Sequence, residues 1–588
     1  MLMNRAALGR LTIGLSPRAD ACVRFAASEL QRYLAAMSGE PALAPICLEE
    51  SVSLPENVLR LGKGPLVQAS RADDGFAIGT DESGVTLAGA SGRAVLHAAY
   101  RLLEDLGCTW SFDGQSGETV PVLPAEGRRV CERREEPRYR VRAYSTDIHT
   151  YHYHEADVMA ARAAADFAFT DWMAKTGANA FLFIRHPFDS QLTIPELLPE
   201  FERRGIEPEY GGHVLPLLLP RDHFADHPDW FPADDHGRRI DLGNLCSSNL
   251  EALDVVGEAA VRYAREHPEM QVLHIWGADL WEGGWCRCSA CAGTSVQDQS
   301  LRVCNAVAEA LERAGLTVRV CYLAYHDTLD PDLRISPHPN VIAEFAPRER
   351  CYGHSIGDPA CEINPRYRQA FDRHIEIFEG RVRVFEYYGD AILFCGIVVP
   401  LMKVIEDDLA YYHRTGAREI SFLQFGSYSL WAHPLNFVRY AEAVRHATSE
   451  SAEKPDHGCG PYPADYWTSL QTAMAKVVTY GDIRRPPRSR AAEIGRCLEE
   501  ALAVLRAWIP RLHRDPWMQR SLLEYTAAVL EGVRLQLAGT AAATAEAEGR
   551  YQRALDIVRA VDDHHVGVWG KKNLPVIHSF YSAAWRRS

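Results

Sequence analysis

Length, composition and charge exclude several kinds of protein at once. The chain has 588 residues, too many for one hydrophobic core, so we expect roughly three or four domains. Apolar residues make up 47% and charged residues 24%, as in an ordinary globular protein. The net charge of −15 argues against a nucleic-acid partner, and the sequence has no run of about eighteen apolar residues that would cross a membrane.

Cysteine usage and the first residues bear on the compartment. The fifteen cysteines are odd in number and scattered, which is not the pattern of a disulfide framework. The N-terminus lacks the continuous apolar segment of a signal peptide. We therefore expect a cytoplasmic protein with mostly free thiols, although a secreted protein trimmed of its signal peptide would look the same.

Residues 1–135 predict a small α/β accessory domain. Amphipathic helices are expected at 21–39 and 92–108, the first with a glycine stop. Short strands bounded by Gly, Asp and Ser are expected at 11–16, 57–64, 75–81 and 84–91, with a last edge at 109–112. The charged segment 131–140 is interpreted as a linker.

Residues 136–455 alternate strand and helix. Eight candidate strands, most of them continuous apolar runs typical of parallel strands covered on both faces, lie at 141–149, 178–186, 213–220, 272–279, 318–326, 341–347, 382–390 and 419–426. Eight such units predict a (β/α)8 TIM barrel. An open doubly wound sheet is the alternative, but no GxGxxG fingerprint follows a strand. Residues 460–588 show only helical spacing and predict an α-helical C-terminal domain, which either supports the barrel or forms a homodimer contact.

The segment 272–291, VLHIWGADLWEGGWCRCSAC, is the most informative in the chain. A buried strand runs into a glycine-containing loop with Asp279, Glu282 and two tryptophans. Residues at the carboxyl ends of barrel strands are where a TIM barrel carries its catalytic groups. Glycosidic cleavage needs one acid to protonate the leaving oxygen and another to act at the anomeric centre. We therefore expect Asp279 and Glu282 to be catalytic, with Glu386 on the seventh strand as a carboxylate on the far side of the barrel.

Polar and aromatic residues stand at the ends of the other predicted strands as well. Polarity rises at the end of any buried strand, which would explain polar residues at one or two strand ends but not at eight. We therefore expect these residues to bind substrate, with the aromatic rings stacking on sugar faces. These predicted substrate-binding residues are Asp147, His149, Arg185, His186, His213, Trp281, Tyr325, His326, Glu344, Tyr387, Tyr388, Asp390, Gln424 and Trp431.

Three cysteines close the same loop. Cys286, Cys288 and Cys291 form a CxCxxC motif, and Cys246, in NLCSSN, is a candidate fourth ligand. Thiolates in this number favour a closed structural zinc site rather than a catalytic one. The alternative is a group of reduced structural thiols that stiffens the loop, and no cofactor is expected to be required for catalysis.

Several of these motifs together resemble a known bacterial family. HPDWFPADDHGRR, NLCSSN, the strand ending in Asp279, WCRCSAC and VRVCYLAYH are similar, in order and spacing, to a domain first catalogued as uncharacterised, some members of which are classed as glycoside hydrolase family 163. Those members are endo-β-N-acetylglucosaminidases that act on complex N-glycans. The N-terminal part resembles the accessory domain that precedes the barrels of α-glucuronidases and β-hexosaminidases.

The resemblance implies a retaining glycosidase of carbohydrate or glycoconjugate substrates. It matches Asp279 to the family's acid before the cysteines and Glu386 to an acid in an aromatic-rich strand. This chain departs from the pattern in its longer loop between Asp279 and Cys286, which holds Glu282, and in its lack of an evident export signal. Either two protein carboxylates act, or the substrate's acetamido group is the nucleophile and Asp279 and Glu282 assist it.

Two other functions stay open from the sequence. The first is a carbohydrate-binding barrel, in which the aromatic residues at the mouth bind a sugar but the acids catalyse no hydrolysis. Alternatively it would be a metal-dependent lyase or isomerase with His149, His186, His213 and His326 as ligands, although none of these has the short i, i+4 spacing of a metal motif.

Overall fold

A computed structural model describes most of the chain. The described residues are 2–8, 11–39, 45–47, 58–63, 74–82, 84–110, 118–147, 156–185, 194–280, 284–390, 393–394, 399–424, 434–445, 464–475, 490–511 and 519–561. None of the helices in these ranges combines the length and the apolar character needed to cross a bilayer.

The N-terminal part is an α/β unit, as predicted. Its strands are β1 (Leu2–Met3), β2 (Thr12–Leu15), β3 (Pro45–Cys47), β4 (Val58–Lys63), β5 (Phe76–Asp81), β6 (Gly84–Gly89), β7 (Arg128–Arg129) and β8 (Arg133–Glu135), and its helices are α1 (Arg5–Leu8), α2 (Ala21–Ser38) and α3 (Gly92–Asp105). Six strands form one sheet in the order β3-β2-β4-β6-β5-β8. Helix α2 begins where the Asp20 carboxylate accepts from the Val23 amide, and it ends at Gly39, whose φ of 70° is the left-handed conformation that glycine adopts without strain.

Two expectations for this region are wrong. The segment 131–140 is not only a linker, because β8 adds to the sheet as an edge strand antiparallel to β5. The predicted edge at 109–112 is reduced to one bridge between Thr109 and Thr119 among the residues described there. Both errors concern edges, where charged residues and short pairings weaken the sequence signal.

Eight parallel strands then close into a barrel, which confirms the predicted fold. The strands are β9 (Val141–Asp147), β10 (Ala180–Arg185), β11 (Glu207–Gly212), β12 (Val272–Ile275), β13 (Arg319–Ala324), β14 (Val341–Phe345), β15 (Val382–Glu386) and β16 (Glu419–Gln424). The helices of this region are α4 (Ala156–Lys175), α5 (Ile194–Arg204), α6 (Leu215–Leu218), α7 (Leu250–Glu266), α8 (Val296–Arg313), α9 (Asn364–Ile377), α10 (Met402–Thr415) and α11 (Pro434–Arg445). Each strand pairs with the next along the chain, and β16 closes on β9.

The third barrel strand is not the one predicted. The apolar run 213–220 contains two prolines and forms the short helix α6, whereas the strand is EPEYGG, six residues earlier. Proline, glycine and glutamate are poor strand formers, so propensity disfavoured this segment. Gly211 explains part of the pattern: its φ is 133°, and a Cβ there would lie 2.2 Å from the His274 carbonyl oxygen. The close approach of β11 to β12 therefore requires glycine.

Charged side chains fill the lower part of the barrel interior. Arg383 donates to the carboxylates of Glu209 (2.8 Å) and Glu419 (2.9 Å). The two ring nitrogens of His274 lie 3.0 Å from Glu209 and 3.1 Å from Glu344. Burial alone would lower the pKa of His274, but Glu344 and the hydrogen bond with Glu209 hold it well above its usual value. Within the strand EPEYGG, the burial of Glu209 is thus compensated by an ion network, while Tyr210 packs in the main hydrophobic core.

The C-terminal region is helical in the described residues. Its helices are α12 (Ala464–Ala475), α13 (Ala491–Trp508), α14 (Gln519–Leu537) and α15 (Ala541–Ala560). Their buried apolar residues belong to the same continuous cluster as those of the barrel, whereas the N-terminal sheet and helices form a second cluster. The C-terminal helices therefore pack as an extension of the barrel core.

Candidate active site at the carboxyl end of the barrel

Side-chain alternation decides which residues reach the mouth of the barrel. In β15, Arg383 and Phe385 point inward, as their contacts with Glu209 and with the Trp276 ring (5.7 Å between centroids) show. Tyr387, two residues further, continues the inward series, and its ring lies 5.1 Å from that of Phe385. Glu386, between them, has the opposite direction.

Asp279 and Glu349 flank one imidazole ring at this end. His326 Nε2 lies 4.0 Å from Oδ1 of Asp279, and its Nδ1 lies 3.3 Å from Oε1 of Glu349. The Asp279 side chain is 55% exposed, whereas that of Glu349 is 16% exposed and its Oε1 is buried without a hydrogen bond of good geometry. His326 has a φ of 49°, an uncommon conformation for a residue with a Cβ, and such local strain gathers at functional sites.

Aromatic rings and a second ion pair border this group. The Tyr325 ring lies 3.6 Å from that of His326, measured between centroids. Burial raises the pKa of Tyr325 well above its ordinary value, with Arg348 opposing and Asp279 adding to the effect, so its hydroxyl stays a neutral donor. Arg348 lies over the Tyr387 ring at 5.8 Å and donates to Asp390 at 3.0 Å.

Trp276 forms the floor beneath these residues. Its indole donates to the Glu344 carboxylate at 3.1 Å, and its ring lies 5.3 Å from that of His213. His213 donates through Nδ1 to the carbonyl oxygen of Gly277. His213 therefore follows the end of β11 rather than entering a strand, and Glu344 is a fully buried support for Trp276, not a group open to substrate.

Glu386 and Tyr388 face away from the mouth, so the geometry does not support their predicted roles. Glu386 is fully buried, accepts from the Tyr412 hydroxyl at 2.6 Å and pairs with Arg350 at 3.2 Å. Tyr388 donates to Asp408 at 3.0 Å in the same layer, between the barrel and α10. These contacts bind the strand to the surrounding helix and leave Glu386 no open face for a sugar.

Several predicted residues cannot be placed. Glu282, Trp281, His149, His186 and Trp431 lie outside the described residues. The backbones of Asp147, Arg185 and Gln424 end their strands as expected, but their side chains lie outside the described part of the structure. Their roles stay predictions.

The structure also adds Glu349, which the strand-end pattern does not predict. Glu349 lies four positions beyond the end of β14, in the segment PRER, and so escapes a search restricted to strand ends. The available signal is its place between two arginines in the charged tripeptide 348–350, which follows Ala346 and Pro347 after the strand.

Three groups in the described residues have metal-ligand composition and spacing. One is Cys246, Cys286, Cys288 and Cys291, a second is Cys351, His354 and Cys361, and a third is His274, Cys321 and Glu344. The third group is already bound within the buried ion network of the barrel. The four cysteines predicted as zinc ligands are thus brought together, whereas His213 and His326 have other partners and are in none of these groups.

Comparison with known proteins now places the chain. A family model described as "Domain of unknown function (DUF4838)" matches residues 133–429, which include all eight barrel strands and the mouth residues. The chain belongs to this family. No curated protein matches the sequence of this DUF4838 member.

Two solved structures resemble the DUF4838 protein over nearly its whole length. One is a GH138 enzyme targeting pectin rhamnogalacturonan II, with 10% identity, a TM-score of 0.59 and 98% coverage of both chains. The other is a family GH115 4-O-methyl-α-glucuronidase with specificity for decorated arabinogalactans, with 11% identity, a TM-score of 0.62, and coverage of 97% of this chain and 79% of that one. At such low identity these likenesses establish a common fold.

Proposed function

We propose that this DUF4838 member is a glycoside hydrolase acting at the carboxyl end of its barrel. The observation that carries the proposal is the placement of Asp279 and Glu349 on the two nitrogens of His326. Two carboxylates on either side of an imidazole ring at a barrel mouth supply what glycosidic hydrolysis requires, an acid for the leaving oxygen and a base or nucleophile for the other face. Both similar folds belong to proteins described as carbohydrate-active, which agrees with the proposal.

The different solvent exposure of Asp279 and Glu349 suggests which catalytic step each one assists. Asp279 is open to solvent and is the acid that a glycosidic oxygen would meet first. Glu349 lies deeper, beside Tyr325 and Arg348, where it would act on the anomeric carbon or on the attacking water. In the hydrolysis a proton passes to the leaving oxygen, and the water oxygen ends on the anomeric carbon. Glu282, in the same loop as Asp279, stays an alternative partner.

The residues at the mouth also suggest which class of sugar is bound. The mouth offers tyrosine rings and an arginine, which suit a sugar ring carrying a polar or anionic substituent. The motifs WCRCSAC and NLCSSN resemble those of a family with endo-β-N-acetylglucosaminidases, so N-acetylglucosaminides are the first substrates to test. Uronides are the second, because Arg348 lies at the site.

The test is hydrolysis of a panel of aryl N-acetylglucosaminides, glucuronides and galacturonides, together with N-glycans. Wild type is compared with Asp279→Asn, Glu349→Gln and Glu362→Gln, the last being an exposed acid in the same loop as Glu349. We expect losses of about 10²–10⁴-fold in kcat/KM for the first two and wild-type activity for the control. The configuration of the first product, read by NMR, separates retention from inversion.

Two outcomes would contradict the proposal. Full activity in both mouth variants would mean that the reaction takes place elsewhere. Sugar binding without any turnover by the wild type would instead favour a carbohydrate-binding barrel.

A further inference from the structure

We propose that Cys246, Cys286, Cys288 and Cys291 bind a structural zinc ion beneath the loop that carries Asp279. The metal itself takes no part in the bond cleavage proposed above, and its presence is tested without any activity assay. The four sulfur atoms lie within 4.8 Å of one another, although the cysteines come from two segments about forty residues apart in the sequence.

The sulfur spacing fits a tetrahedral metal. With zinc–sulfur bonds of about 2.3 Å, the edge of a regular tetrahedron is about 3.8 Å. The Sγ atom of Cys246 lies 3.8 Å from that of Cys288 and 3.9 Å from that of Cys291. A disulfide would need about 2.05 Å, so these thiols are arranged as ligands around a common centre rather than as a cross-linked pair.

Donors surround the sulfur atoms as they would surround thiolates. The Ala233 amide donates to the sulfur of Cys286 at 3.3 Å, and the Cys288 amide donates to the same atom at 3.5 Å. The hydroxyl of Ser248 lies 3.1 Å from the sulfur of Cys291. Four thiolates with a divalent ion carry a formal charge of −2, and such donors stabilise it.

An arginine side chain also offsets the negative charge that four thiolates would carry. The Arg239 guanidinium lies 3.6 Å from the sulfur of Cys286 and also donates to the Phe231 carbonyl oxygen at 2.6 Å. Neutral thiols have no need of a fixed positive charge, whereas a tetrathiolate centre does. The arginine therefore favours an ionised, metal-bound state over a pocket of reduced thiols.

The segment that carries Cys246 has little regular secondary structure. Between residues 225 and 249 the longest regular element is a three-residue helical turn, Pro228–Trp230. The four cysteines cluster with Ala233 alone, apart from the main hydrophobic core. Trp230, Phe231 and Leu245 anchor this segment in the main core, and a metal would in addition cross-link Cys246 to the segment of the other three cysteines.

The site lies directly under the loop of Asp279. The side-chain oxygen of Asn244, two residues before Cys246, accepts from the Ala278 amide at 2.6 Å, and the backbone N–H of Asn244 donates to the Gly284 carbonyl oxygen at 3.1 Å. Cys286 follows Gly284 by two residues. The proposed zinc thus fixes both ends of the segment between Ala278 and Gly284, which places Asp279 at the mouth.

The first test is the metal content of the full-length protein, measured by mass spectrometry after dialysis. We expect one zinc per chain in wild type and in Cys131→Ser, an exposed cysteine far from the cluster in sequence, and loss of zinc in Cys246→Ser. Iron in place of zinc, or no metal in wild type expressed with added zinc, would overturn the proposal.

A second test uses only the wild-type protein and so does not depend on the folding of Cys246→Ser. X-ray absorption at the zinc edge of wild type should show four sulfur neighbours at about 2.3 Å. A shell containing nitrogen or oxygen, or four thiols that react freely with a thiol reagent in the native protein, would refute it.

Discussion

Glu209 offers the sharpest test of how the barrel is held together. The residue is 1% exposed, and it meets Arg383 at 2.8 Å and His274 at 3.0 Å inside the barrel. The pKa of Glu209 would be raised by burial, but Arg383 and His274 hold it well below its usual range. Glu209→Gln removes one negative charge at nearly constant side-chain volume. It places an amide group where Arg383 and His274 otherwise meet a carboxylate.

The expected cost follows from the charges left behind. Breaking a buried ion pair by removing one partner costs about 3–5 kcal/mol. His274 can release its proton and restore the balance, whereas Arg383 cannot, so we expect the lower end, about 3 kcal/mol at neutral pH. The penalty should grow in acid, where His274 stays charged.

Urea unfolding of wild type, Glu209→Gln and the exposed control Glu258→Gln measures this difference. The control should lie within about 0.5 kcal/mol of wild type. Adding Arg383→Met to Glu209→Gln should cost less than the two single changes together, because the residues share one contact. Equal stabilities of Glu209→Gln and the control, or additive effects in the double variant, would refute the account of the barrel interior.

Three further predictions concern stability. Asp74→Asn should destabilise the protein by about 3 kcal/mol in urea unfolding. Arg142 donates to Asp74 at the junction of the two core clusters, and the substitution leaves it as a buried charge without its carboxylate. An unchanged unfolding midpoint would contradict this. Burial, with nearby arginines, lowers the pKa of His97 to about 3, so the stability from its neutral form is present above its unfolded pKa of 6.5 and is lost as the pH falls toward 3. At about pH 5 the loss is about 2 kcal/mol, and His97→Gln should remove that part of the pH dependence; an identical pH profile would count against it. Gly211→Ala should lower the free energy of unfolding by about 3 kcal/mol or more. Gly293→Ala, where a Cβ meets nothing within 4 Å, should change it little. Equal effects of the two substitutions would argue against the close contact between β11 and β12.

The barrel was predictable because most of its strands are rich in apolar residues, even where they carry one or two buried charges. VIAEF and VRVFE stand out as buried parallel strands whatever surrounds them. EPEYGG does not, since its burial depends on Arg383 and His274, which come from strands far away in the sequence. Local propensity contains no information about such partners and therefore favours the neighbouring apolar run 213–220 as the strand.

The site was predictable only in part, for a related reason. Asp279 and His326 follow strand ends and were found by that rule. Glu386 also ends a strand, but strand residues alternate in direction, and the sequence alone does not say which of two adjacent residues faces inward. Glu349 lies in a loop, where its position depends on contacts such as that with His326.

In the proposed function, hydrolysis takes place at the mouth, between β12 and the loop after β14, and not at the buried acid of β15. Comparing kcat/KM of Glu349→Gln and Glu386→Gln on the best substrate, at a temperature where both are folded, tests it most directly. We predict a loss of about 10²-fold or more for Glu349→Gln with a wild-type unfolding midpoint. Glu386→Gln should unfold more readily, because it disrupts the pair with Arg350, but keep near-wild-type kcat/KM. The reverse pattern, full activity without Glu349 and a loss of activity without Glu386 at unchanged stability, would contradict the account.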